Sequence, residues 1–287
     1  MLLSGLSFLV VNFFVKLLGQ EVEWAGIGHL QEYPGHELVL ARSVVSFVIS
    51  FWIIQKRGIP FLGNNKKWLI IRGLAGTIAL TIFFYTLQRL PLAVASVVQY
   101  LAPIFTVIFA MILLKEKVKK IQWLFIGFSF FGVLLIAWES IMEQSSTISP
   151  IWLGLGMVSA VLSGVAYTAI MKLRDSDAPI TIVMYFPMIA IPFMILMCLF
   201  EFTMPQGIEW LILIVIGIFT QIAQICLTRA LHLAPASKVI PVQYLGAIYA
   251  FLIGYFIFEE LLSEIVLLGI GLIIFGVLVN SLLRSSR

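Results

Sequence analysis

Charge is what this chain has least of. Asp, Glu, Lys and Arg make up only 11% of its 287 residues, and hydrophobic residues make up 61%, against roughly 25% and 45–50% in an ordinary soluble domain. Mean hydropathy is +1.09 over the whole length. A water-soluble fold cannot hide that much apolar surface, whereas lipid accepts it. Cysteine is scarce too. Cys198 and Cys226 both sit in apolar runs, which excludes a disulfide framework and a CxxC metal knuckle. His29 and His36 lie seven apart among acids, a spacing that fits no recognised metal site, so a solvated loop is expected there. There is no HExxH, GxSxG or Walker A motif, and the one histidine near an apolar run is His232. Neither an enzyme nor a cofactor is therefore expected. The net charge of +4 is scattered over short loops and builds no basic face for nucleic acid.

Acids are missing from one place in particular. All 14 Asp and Glu fall in loops or at the ends of apolar runs. Proton-driven carriers usually need a titratable group inside the membrane. Facilitated diffusion, exchange, or proton coupling through something other than a buried Asp is the expectation.

What the chain does have is apolar runs of membrane-crossing length, about 20 residues each. Charged and Pro/Gly/Ser-rich breaks divide it into spans near 2–18, 38–55, 68–88, 92–114, 120–138, 151–172, 180–200, 208–231, 236–258 and 264–283. The first run lacks the basic start and small-residue cleavage site of a signal peptide and is kept as a helix. With the N-terminus in the cytoplasm, every Lys and Arg except Lys16, Arg42 and Arg89 falls on the cytoplasmic side, as the positive-inside rule requires. The loop from Gln20 to Glu37 carries four acids and no base, and belongs outside. Both termini are then cytoplasmic, in a multi-pass protein of the cell membrane.

The chain also repeats itself. A shift of 144 residues aligns Gly73 with Gly217, Pro91 with Pro235, Val98-Gln99-Tyr100-Leu101 with Val242-Gln243-Tyr244-Leu245, Glu116 with Glu260 and Gly132 with Gly276. From Gly73 to Leu134, 19 of 62 positions are identical, where apolar bias alone gives about six. The first spans match at a shift of 156, pairing Lys16-Leu17 with Lys172-Leu173. Each half holds five spans, so the second must enter from the opposite side. The loops agree: Lys115 to Lys120 is strongly basic, and its counterpart Glu259 to Glu264 has three acids and no base. The expected fold is an all-α membrane protein of ten transmembrane helices in two inverted five-helix repeats, residues 1–139 and 151–287, joined by a linker at 140–150. Inverted repeats characterise secondary transporters, whose site lies at the midplane between them.

These residues resemble the drug/metabolite transporter superfamily, specifically its EamA-type repeat family. The resemblance rests on Leu87-Gln88-Arg89-Leu90-Pro91-Leu92-Ala93, Leu114-Lys115-Glu116, the opening Gln122 to Gly127 and the closing Gly132-Val133-Leu134. The second half repeats them as Leu231 to Ala236, Phe258-Glu259-Glu260 and Gly269 to Gly276. It covers essentially the whole chain. It implies a carrier for a small polar metabolite, such as an amino acid or organic anion, working by alternating access. It also implies a central cavity lined by the first, third, fourth, sixth, eighth and ninth spans. A channel, or an intramembrane enzyme without a known motif, is the alternative. The implied partners are a small-molecule substrate, the lipid bilayer and a second copy of the chain.

Polar residues inside the spans are the candidate site. Gln99 with Tyr100, and Gln243 with Tyr244, can grip a polar ligand without burying a charge, or can bind the repeats to each other. Gln221, Gln224 and Thr228 share one helical stripe, which lines a cavity or meets a neighbour. Tyr85, Gln88, Asn12 and Tyr167 offer weaker versions. Arg42, Arg72, Arg229 and Lys238 lie near span ends, where snorkelling to the interface is the default. The sharper reading has Arg229 and Lys238 guarding the cytoplasmic mouth. Glu116 and Glu260 sit where a helix N-terminus can use them. Pro103 and Pro241 interrupt their spans and are candidate hinges. Gly127, Gly132, Gly269, Gly271 and Gly276 are expected to let helices pack closely.

Overall fold

The computed structural model describes residues 2–20, 22–24, 28–114, 120–142, 148–233 and 245–285. Ten spans are formed by α1 (Leu2–Leu17), α2 (Gly35–Arg57), α3 (Lys66–Arg89), α4 (Leu92–Gln99) with α5 (Ala102–Leu114), α6 (Lys120–Met142), α7 (Pro150–Leu173), α8 (Pro179–Cys198), α9 (Glu209–Leu233), α10 (Leu245–Ile257) and α11 (Glu264–Ser285). Among the described residues, six of the helical stretches hold windows of mean hydropathy between 1.7 and 2.3. The loop after α1 carries a small antiparallel hairpin, β1 (Val22–Trp24) and β2 (Gly28–Leu30), in register Val22↔Leu30. Apolar periodicity is too weak over three-residue strands to announce it.

Local chemistry sets the helix ends. Gly58 closes α2 in a left-handed conformation, its N–H bonding Gln55 and Ile54, a geometry that needs no Cβ. Asn65 accepts from the Trp68 N–H and opens α3. Pro150 and Pro179 sit in the first turns of α7 and α8, where their missing N–H costs nothing. Pro91 forces Leu90 into extended backbone and ends α3. The fourth span is broken. Tyr100 and Leu101 form a turn between α4 and α5, because Pro103 has no N–H to give the Gln99 carbonyl.

The inversion is visible in the packing. Helices α6 and α11, repeat counterparts, run antiparallel against each other. A side chain at Gly132 would strike Gly269 and Ile273, and one at Gly276 would strike Phe125 and Ser129. Shifting by 144 and exchanging the helices turns one contact into the other. The axis passes between Ser129 and Ile273, which are themselves counterparts and bond at 3.4 Å. The same exchange relates Gly73, packed on Ile189, to Gly217, packed on Val45. It also relates Ser159 Oγ donating to the Ala79 carbonyl at 2.7 Å to Ser4 Oγ donating to that of Ala223 at 2.9 Å. Those two bonds align Ser4 with Ser159, one residue off the shift that matching Lys16 with Lys172 gives.

Not every expected packing glycine packs. Gly127 and Gly271 face open space, where a Cβ would meet nothing within 4 Å. His36 also departs from expectation. It is 2% exposed within α2 rather than solvated in a loop. Its ring bonds Tyr85 Oη at 2.6 Å and the Glu201 carbonyl at 2.9 Å.

These contacts make a paired prediction. Gly132→Val and Gly276→Val should each cost about 1–3 kcal/mol through overpacking. Gly127→Val and Gly271→Val should leave stability unchanged. Thermal unfolding of the purified protein in detergent measures all four.

Candidate functional site

Between the halves lies a cavity of about 130 Å³. Its walls come from α1 (Asn12, Phe8), α3 (Arg72, Leu80), the broken fourth span (Gln99, Tyr100, Pro103), α7 (Ser163, Tyr167), α9 (Gln224) and α10 (Ala250). These are the spans the family resemblance implied. Two more contribute: α2 brings Arg42 and α8 brings Phe186. The break in the fourth span lies in this wall, as expected of irregular backbone at membrane depth.

Gln99 is held at both ends of its amide. Nε2 donates to Ser163 Oγ at 2.8 Å, and Oε1 accepts from Ser159 Oγ at 3.0 Å. The side chain therefore joins α4 to α7, one helix from each half, while still lining the cavity. Tyr100 and Tyr167 line the same wall.

The polar stripe on α9 divides. Gln224 reaches the cavity and accepts from Arg72 Nη2 at 3.1 Å. Gln221 turns to α2 and donates to Ser50 Oγ at 2.7 Å. Thr228 is buried away from the cavity wall. Positions i, i+3 and i+7 share a face only loosely, and three neighbours divide that face. Tyr85 and Gln88 lie at the end of α3, where Gln88 Nε2 donates to the Tyr33 carbonyl at 2.8 Å and Tyr85 meets His36. Neither lines the cavity. Arg229 is exposed. Gln243, Tyr244, Lys238, Pro241 and Glu116 lie outside the described residues.

The arginines overturn the snorkelling expectation. Arg42 is 1% exposed and Arg72 is 3% exposed, and both line the cavity. Their guanidinium carbons sit 5.2 and 5.7 Å from the centroid of one ring, Phe186, and Arg42 also lies 5.6 Å from that of Phe84. Among the described residues the ion pairs are Lys16 with Glu260 and Arg174 with Asp175, so neither cavity arginine has a carboxylate. Sequence position alone placed these residues near span ends. The helices in fact begin three residues earlier at Gly35 and two earlier at Lys66, which carries both side chains deeper.

One end of the cavity region is tied shut. Pro91, at the start of α4, has neither an N–H nor a side-chain acceptor to cap the helix, and Glu260 supplies the cap from the other half. Its two oxygens accept from Leu92 N–H at 2.9 and 2.7 Å. Lys16 Nζ pairs with Glu260 at 3.2 Å and donates to the Leu90 carbonyl at 2.7 Å. At the same end Glu209 accepts from the Gln31 N–H at 2.8 Å, the Gln206 N–H at 2.7 Å and Tyr33 Oη at 2.6 Å. Burial and that carboxylate push the Tyr33 phenol well above its ordinary range. At the opposite end Asp177 accepts from the backbone of Asn64 and Asn65, joining the α2–α3 loop to the α7–α8 turn.

Ten spans in two inverted halves around a cavity walled by both define the architecture of a secondary carrier. The chain belongs to the EamA-like transporter family, whose model matches residues 2–138 and 150–282. It is 26% identical to the pseudopaline exporter CntI of Pseudomonas aeruginosa, over 95% of this chain and 91% of that protein. It is 29% identical to human solute carrier family 35 member G1, over 90% of this chain and 71% of that protein. A riboflavin transporter of Vibrio cholerae is 25% identical over 96% of this chain and 90% of its own. A protein of known crystal structure shares the fold at a TM-score of 0.66, with 17% identity over 99% of this chain and 98% of that one. The chain is a multi-pass membrane transporter for a small metabolite.

The Gln99 bridge is testable apart from transport. Gln99→Ala leaves Ser163 Oγ without its partner, while Ser159 Oγ keeps the Ala79 carbonyl, and should cost about 1 kcal/mol of stability, as interhelical hydrogen bonds in membranes do. Ser163→Ala, which removes the other end of that bond, should cost a similar amount, and the double variant little more than either alone. Thermal unfolding of the three variants reads that coupling.

Proposed function

We propose that the chain carries its metabolite across the cell membrane by alternating access, with the cavity between the halves facing first one side and then the other. The observation that carries this reading is the Glu260 cap. A carboxylate of the second half holds a helix start of the first half and closes one end. Opening that end requires Glu260 to release Leu92 and Lys16, which are among the contacts that join the halves there alongside those of Glu209 with Gln31 and Tyr33. Pro103 breaks the fourth span beside the cavity and is the hinge on this side. Pro241 is its proposed partner on the ninth span.

The positive-inside distribution supports cytoplasmic termini, which makes the Glu260 end extracellular. Asn12, Gln99, Tyr100, Tyr167 and Gln224 are the residues we propose to touch substrate. Gln243 and Tyr244 join them as repeat counterparts of Gln99 and Tyr100. The halves so paired are 1–139 and 151–287. Relatives named as transporters support a carrier over a channel or an intramembrane enzyme. The inward-facing positions supply no carboxylate for protonation, which supports facilitated diffusion or exchange.

The test uses Asn12→Cys in a background where Cys198 and Cys226 are replaced. In the closed state a membrane-impermeant thiol reagent added outside should label Cys at this position slowly. Adding Glu260→Gln weakens a pair that is largely buried, and labelling should rise at least several-fold. Unchanged labelling would remove Glu260 as the closing contact, and alternating access through this end would go with it.

A further inference from the structure

Two arginines inside a membrane, with no acid beside them among the described residues, need an explanation in electrostatics. Burying an ion costs several kcal/mol even after relaxation, and an opposite charge ordinarily offsets that cost. Arginine cannot escape by losing its proton. The rings of Phe84 and Phe186 attract a guanidinium by about 2 kcal/mol at best, which leaves most of the cost standing. The hydrogen bonding is incomplete as well. Nε and Nη1 of Arg42 and Nε of Arg72 are buried without a partner, and the one bond shown to either guanidinium is that of Arg72 to the Gln224 amide. An arginine serving only the fold ends on a carboxylate or a backbone carbonyl. These two end on a cavity.

We infer that the cavity takes a small organic dianion, with one carboxylate for each of Arg42 and Arg72. This deepens the carrier reading and rests on it. The guanidinium fork offers two parallel N–H donors to a carboxylate, the strongest geometry available to either group. Two fixed positive charges are balanced by two negative ones, so a dianion leaves no net charge in the membrane interior and a monoanion leaves one. Phe8, Leu80, Phe83 and Phe84 supply an apolar wall for the carbon chain between the carboxylates. The cavity volume of about 130 Å³ keeps that chain short. Tyr167 lines the same cavity and can donate to a remaining carboxylate oxygen.

The experiment uses the full chain in lipid nanodiscs and isosteric ligands that differ only in charge. The probes are succinate, its monoamide and its diamide, with glutarate and its two amides as a longer set. Titration calorimetry at neutral pH should rank dianion over monoanion over neutral, by about tenfold per step. Arg42→Gln and Arg72→Gln should each lower dianion affinity at least tenfold and flatten the ranking, while Arg42→Lys and Arg72→Lys keep part of it. The ranking on the unaltered protein needs no variant, so a misfolded variant does not protect the idea.

The same protein in liposomes is offered a mixed metabolite extract, with mass spectrometry of what enters. Uptake of organic dianions, lost in the two Gln variants, supports the inference. Uptake of neutral or cationic solutes untouched by those variants overturns it and leaves the carrier standing. Equal binding of diamide and dianion overturns it, as does binding of no probe, or saturation by chloride alone. If no solute enters at all, the carrier reading itself fails, and the dianion site falls with it.

Discussion

Inside a bilayer nothing but the protein can satisfy a polar group, and that constraint orders most of this structure. Thr81, Thr86, Thr106 and Thr168 each turn back to donate to the carbonyl four residues earlier, at 2.8–2.9 Å. Ser4 and Ser159 reach across to carbonyls on neighbouring helices. Gln99 gives both ends of its amide to serines. Among the described residues the buried hydroxyls of Ser7, Ser43, Thr77, Ser96, Thr220 and Thr228 have no partner, and neither do three donors of Arg42 and Arg72, which carry charge and line the cavity between the halves.

The second ordering fact is that the halves exchange parts. Neither half is a finished unit: α4 takes its cap from Glu260, and Gln99 of the first half takes its partners from α7 of the second. Sharing of this kind explains why the midplane cavity has walls from both repeats. It also explains why a carboxylate at a loop, a position usually free to vary, is held by one backbone N–H, shared between its two oxygens, and a lysine. Glu260 had been legible as a residue that meets a helix N-terminus. The helix it meets is not the next one in the chain but one nearly 170 positions earlier, a fact that exists only after folding.

Much of the architecture was open to reading before any coordinates. Span number, helix class and inversion followed from apolar length, a gapless repeat and the sign change between two equivalent loops. Those signals survive because lipid thickness and the charge rule act on segments, not on single side chains. The site was harder. Period alone put Gln221 and Thr228 on the same stripe as Gln224, yet a stripe is wide enough to meet α2, a buried seam and the cavity at once. Tyr85 and Gln88 were polar and near a span, but Tyr85 meets His36 of α2 and Gln88 serves the loop that follows α1. Arg42 and Arg72 were misplaced because a shift of two or three residues in a helix start decides whether a long side chain reaches water or the interior. The cap that fixes the start of α3, Asn65, lies outside the apolar run from which the span was drawn.

The glycine seam between α6 and α11 has one more implication. Backbones that touch at Gly132, Gly269 and Gly276 leave no lubricating layer of side chains between them, so this pair cannot slide without lifting apart. It behaves as a mast rather than a joint. In the alternation proposed above this pair would be the pivot, and neither of its helices lines the cavity that holds Arg42 and Arg72.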